Sequence, residues 1–206
     1  MSNLRAHRTS ANDGFTLLEV MVVLAMGIIL AGVAVPYMSR TLGQMRLSGS
    51  ARSVSNGIQV AKLRSAAKFT RARLFVNRAN GSFHLEILDT SVVPNHWTVD
   101  GGTTYLPSGV TFGFGPVATP PLNTQTVINQ ASPCLDDASV VIGNTSCVMF
   151  NSRGIPVQNT NPANPEDQDA IYLTNGTEVY GVTVLATGFI GTWHTPSAAT
   201  PAWLIS

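Results

Sequence analysis

Charge is scarce in this sequence and unevenly placed: 11% of the 206 residues are Asp, Glu, Lys or Arg. Between Arg40 and Arg78 there are nine bases and no acid, and beyond residue 79 there are nine acids and one base, Arg153. With two cysteines, Cys134 and Cys147, covalent bracing is limited to one disulfide, and no histidine stands near them in sequence to complete a metal pair. Catalytic signatures are missing: there is no Gly-x-Ser-x-Gly elbow, phosphate-binding glycine loop or His-Glu-x-x-His. The four histidines are scattered; His84 falls at an alternating strand position expected to be exposed, while His96 and His194 lie beside tryptophans, which points to packing or surface contact. The sequence therefore offers no recognisable active site, and no cofactor is expected. Its length suits an anchor plus one ordinary domain.

One long apolar run is present. From Phe15 to Val35 only Thr16 and Glu19 carry polar side chains, and a helix of that length is about 32 Å long, enough to cross a bilayer. Arg5, His7 and Arg8 precede it, which keeps this end in the cytoplasm and sends the rest across. On that side oxidising conditions favour a Cys134–Cys147 disulfide. A secretory signal with Gly32 and Ala34 as the small residues before its cut would share the basic start and apolar core. Glu19 argues for an uncleaved anchor, because a carboxylate inside such a run costs about 2.5 to 3.5 kcal/mol and needs a partner.

The order Gly14-Phe15-Thr16-Leu17-Leu18-Glu19, then about twenty apolar residues behind a short basic leader, resembles the class III signal of type IV pilins and type II secretion pseudopilins. The resemblance implies a pilin-like α+β fold and no enzymatic activity. It implies cleavage between Gly14 and Phe15 by a prepilin peptidase, methylation of the new amine, and a pairing of the Glu19 carboxylate with a neighbour's amine that draws subunits into a filament. Its implied partners are other pilins or pseudopilins, the peptidase and an inner-membrane assembly platform. The implied location is the bacterial inner membrane with a periplasmic head, then a pseudopilus or surface pilus.

Pro36 is expected to end or kink the membrane helix. Beyond it Leu47, Ala51, Val54, Ile58 and Ala61 recur at spacings of four and three, with Arg46, Ser50, Ser53 and Asn56 elsewhere, which predicts an amphipathic stem reaching about Lys68. From Arg73 the period changes to two, and Asn80-Gly81 marks the turn of a β-hairpin ending near Ile87. Further strands are expected at 96–99, 110–114, 140–142, 147–150, 171–174 and 179–186. The domain reading is leader 1–14, membrane helix 15–36, stem 37–70 and β-rich head 71–206, mostly antiparallel. Two irregular stretches, 115–138 and 158–169, are candidates for contacts. Trp203-Leu204-Ile205 is expected to tuck onto the sheet or meet a partner, and Arg153 to pair with a carboxylate or bond carbonyls in its turn.

The basic stem reads as a face for anionic headgroups or for the acidic head of a neighbour; nucleic-acid binding through Arg46, Arg52, Lys62, Arg64 and Lys68 is the alternative, weakened by the lack of interleaved aromatics. The stem, the hairpin, Leu106-Pro107-Ser108-Gly109-Val110, Phe150-Asn151-Ser152-Arg153-Gly154 and the final Val182 to Thr192 segment are similar to the H-type pseudopilin and FimT-like minor pilin branch. DNA-binding members of that branch carry a Gly-Arg-x-Arg element where this sequence reads Gly188-Phe189-Ile190-Gly191-Thr192-Trp193. Glu166, Asp167 and Asp169 form a weak calcium candidate, without EF-hand spacing; a solvated acidic turn is the other reading.

Overall fold

The computed structural model describes residues 15–206. The leader and Gly14 lie outside the described residues. The chain divides into two compact units, one ending at Thr41 and one running from Leu42 to Ser206. A single helix, α1 (Leu17–Ala67), begins in the first and continues into the second. Thr16 caps its start, its Oγ1 accepting the Glu19 N–H at 3.2 Å. Of the two outcomes expected at Pro36, an end and a kink, the end does not occur: α1 continues through it. Proline's missing donor removes one hydrogen bond, a loss the remaining ladder tolerates. In the first unit the large apolar side chains from Leu17 to Leu30 stand exposed.

Beyond Leu42 the stem follows its spacing: Leu47, Ala51, Val54, Ile58 and Ala61 are all fully buried. Ser50 departs from the pattern, being buried with its hydroxyl returned to the Arg46 carbonyl at 2.7 Å. Eleven strands follow: β1 (Ala72–Asn77), β2 (Ser82–Asp89), β3 (His96–Val99), β4 (Thr104–Tyr105), β5 (Thr111–Phe112), β6 (Thr145–Phe150), β7 (Pro156–Val157), β8 (Asp169–Thr174), β9 (Glu178–Val184), β10 (Ile190–Pro196) and β11 (Leu204–Ile205). They form two antiparallel sheets, one ordered β3-β2-β1-β6-β7 with β4 also on β2, the other β11-β10-β9-β8-β5. The architecture is α+β, a long N-terminal helix with antiparallel sheets. The hairpin pairs Asn77 with Ser82, and Gly81 takes the positive φ of 66° that its turn requires.

The stem stripe, the inner faces of both sheets and Ala131 make one core, joining Ile58 and Val54 to Leu74, Val148 and Phe150 on the first sheet and to Ile171, Leu173 and Val182 on the second. The outer faces are covered too. Val117 and Ile128 lie with Tyr172 and Val179, packed by Phe114 and Trp203, while Phe75 lies with Cys134 and Cys147. Stretch 115–138 is therefore largely a cover, which explains why β1 and β8 are buried on both faces. The expected strand at 140–142 reduces to one bridge, Leu135 to Val141, because Asp136 Oδ1 accepts the Ala138 and Val140 N–H groups and curls the chain. β10, read only as part of a family-like segment, is a full strand despite Gly191 and Pro196.

Candidate functional site

The residues singled out from the sequence fall in three places. At the N-terminal segment, Phe15 precedes the capped helix start, Phe15 and Glu19 are exposed, and Glu19 has no ion-pair partner among the described residues. Its place in the first helical turn suits a carboxylate, which complements the helix dipole. Gly14 cannot be placed with them. The helix behind is long and apolar enough to cross a membrane, with none of its apolar window buried inside the chain. Such a surface must be covered by lipid or by other chains.

The second place is the stem. Arg64 forms an ion pair with Asp100 at 3.0 Å, and Lys62 Nζ donates to the Gly188 carbonyl at 2.9 Å. A Cβ on Gly188 would stand 2.8 Å from Lys62 Nζ and one on Gly154 would stand 3.4 Å from Lys62 Cγ. The 150–154 turn and the 188–193 segment thus meet at Lys62, so a base does reach the loop that lacks arginine, but it is held by a carbonyl. Arg46, Arg52 and Lys68 are exposed and have no ion pair among the described residues. Arg153 is also exposed; against expectation, among the described residues it pairs with no carboxylate and its side chain bonds no carbonyl, only its backbone N–H meeting Asn151 Oδ1. The turn is closed by the Asn151 amide, which leaves nothing for the guanidinium to do inside it.

The third place is the head. Cys134 and Cys147 form a disulfide with Cα atoms 5.0 Å apart, both fully buried. Glu166, Asp167 and Asp169 do not converge: no group of three potential metal ligands occurs among the described residues. Glu166 Oε1 accepts the Asp167 and Gln168 N–H groups, whereas Asp169 is buried at the start of β8. Burial, with a smaller push from Glu166, holds the Asp169 carboxyl well above its ordinary pKa. His84 is half-buried, stacked on Phe75 at 4.8 Å and 3.1 Å from Glu86, where exposure was expected. His194 stacks on Tyr180 and its Nδ1 is buried without a partner. The tail tucks onto the sheet: Leu204 and Ile205 pair with His194 and Trp193 of β10, and Trp203 packs near Tyr172 and donates to Thr119 O, while the Leu204 and Ile205 side chains remain exposed.

Sequence reasoning missed the buried pair Arg73–Glu86, with Nε and Oε2 2.6 Å apart and the guanidinium 3.9 Å from the Trp97 ring centroid. Desolvation lowers the Arg73 pKa, and Glu86 opposes that. The signal was available, since the hairpin register that starts at Asn77 and Ser82 places Arg73 opposite Glu86.

Residues 9–35 match the family model described as the prokaryotic N-terminal methylation motif. The comparison with curated proteins finds no match. Among solved structures, the minor pseudopilin EpsH from the Type 2 Secretion System of Vibrio cholerae aligns with 78% of this chain and 96% of its own, at 8% identity and a TM-score of 0.38. A likeness that loose transfers neither a site nor an activity.

Proposed function

We propose that this chain, which carries the methylation motif of type IV pilins and pseudopilins, is a minor pilin-like structural subunit of a type II secretion pseudopilus or a type IV pilus. The observation that carries the reading is the match over residues 9–35, which ends within the exposed apolar stretch of α1. Prepilin peptidase cuts after Gly14, Phe15 is methylated, and the chain waits in the inner membrane with its head in the periplasm. Assembly buries the exposed helix against other subunits, and Glu19 selects the register because a lone carboxylate in a filament core is costly while a paired one is tolerated. The unpaired Arg46, Arg52 and Lys68 face anionic headgroups or the acidic head of a neighbour.

The test is the N-terminus and mass of the protein from its native host. An N-methylated Phe15 is expected. An intact Met1, or a start just past Ala34, overturns the proposal. Glu19→Ala should leave cleavage intact and abolish recovery of the subunit in sheared or cross-linked filaments. DNA uptake is the second reading, favoured only by exposed stem bases such as Arg46, Arg52 and Lys68 that have no ion pair among the described residues; a salt-dependent gel shift lost in Arg46→Ala and Arg52→Ala would support it.

A further inference from the structure

A cleft of about 340 Å³ opens over the outer face of the first sheet, lined by Arg71, Arg73, Trp97, Asp136, Asp137, Asn159 and Thr160 among others. Arg71 is half-buried there and has no ion pair among the described residues, although two carboxylates share the cleft. Arg73 spends Nε on Glu86 and Nη1 on the Leu135 carbonyl, and neither bond uses Nη2. The Asn159 amide is oriented by its Nδ2, which lies within bonding distance of the carbonyls of Ser132, Pro133 and Cys147. That orientation leaves its Oδ1 a buried acceptor with no donor.

The lining selects by elimination. With Arg73 neutralised by Glu86, Arg71 stands among two carboxylates, which favours neither a simple anion nor a strongly charged cation, and the charged and amide groups disfavour a wholly apolar guest. What suits them is a neutral ligand with many donors and acceptors. A peptide main chain added to edge strand β3 is one such ligand, but the Trp97 N–H that it would need already donates to Asp137 Oδ1 at 2.8 Å. Hydroxyl groups need no open strand edge; each both donates and accepts, matching guanidinium, carboxylate and amide in turn. The partly exposed indole of Trp97, backed on one face by Arg73, offers a flat surface for a ring's C–H groups.

We propose that this cleft binds a saccharide, one or two neutral sugar rings of a glycan chain, held by Arg71, Asp136, Asp137, Asn159 and the Thr160 hydroxyl against Trp97. The proposal stands apart from filament assembly, and either can fail alone. The experiment is saturation-transfer NMR on the full chain in a sugar-free zwitterionic detergent, with maltotriose, chitotriose and acetyl-trialanine amide as probes. Transfer to ring protons of at least one sugar is expected, weakened about tenfold by Arg71→Gln and by Thr160→Val. Neither the Arg71 guanidinium nor the Thr160 hydroxyl bonds another side chain or carbonyl among the described residues, so the variants should keep the wild-type circular dichroism and melting. No transfer to either sugar at millimolar concentration, transfer to the tripeptide alone, or sugar signals unchanged in both variants would overturn it.

Discussion

Asp169 and the Arg73–Glu86 pair place three ionisable groups where the fold excludes water, and each arrangement makes a measurable claim. Asp169 has its pKa raised by burial and by Glu166. The folded state therefore holds its proton more tightly than the unfolded chain, where an Asp titrates near about 3.9. The stability this group contributes is complete below that value and is lost as pH rises through the folded one, by about 1.4 kcal/mol for each pH unit separating the two. Asp169→Asn should accordingly gain on the wild type in urea midpoint between about pH 5 and about pH 8, with no gain near about pH 3; a constant difference across that range would mean the carboxyl is not buried. Arg73 and Glu86 are 3% and 8% exposed. Removing one partner strands the other, so Glu86→Gln should cost about 3 kcal/mol in chemical denaturation, whereas Arg73→Met with Glu86→Leu should cost much less.

At the scale of elements, close approaches decide what a strand can carry. A Cβ on Gly181 of β9 would lie 2.6 Å from Tyr172 Cε1 on β8, its register partner. Tyr172 is fully buried, and its hydroxyl donates to Gln125, so the ring cannot swing clear. Gly181→Ala should therefore cost about 1 to 3 kcal/mol, read as a lower melting temperature. The cover at 115–138 is tied to the sheets by the Gln130 amide, which bonds both the N–H and the carbonyl of Tyr172, and by the disulfide. Replacing Cys134 and Cys147 with serine should cost about 3 kcal/mol in the chain-entropy picture, with hydrogen exchange rising first around 130–147.

For the whole molecule, the division at Thr41 and Leu42 predicts that residues 42–206 fold without the apolar segment. The stem stripe and both sheets share a core that lies wholly within that unit. A secreted 42–206 fragment should be soluble and unfold in one transition, with the disulfide formed; aggregation or a non-cooperative melt would show that the anchor contributes to the core.

What could be read from the sequence was what local pattern encodes. The apolar run with Glu19, the 47-51-54-58-61 stripe, the Asn80-Gly81 hairpin and the cysteine pair depend on residue spacing, backbone preference or compartment, each legible a few residues at a time. Tertiary structure alone decided the rest. Whether 115–138 is a contact loop or a cover depends on Val117 and Ile128 finding the outer face of a sheet far along the chain. Lys62 becomes a clamp only because the Gly154 and Gly188 turns arrive beside it, and Asp169 became a buried acid when Ala131 bonded to Ala170 and closed the sheet edge. The polar cleft at Arg71 likewise exists because the hairpin and the 135–139 and 159–162 segments meet there. These outcomes rest on contacts between distant segments, and such contacts leave no period in a sequence because each partner's spacing is set by its own local element.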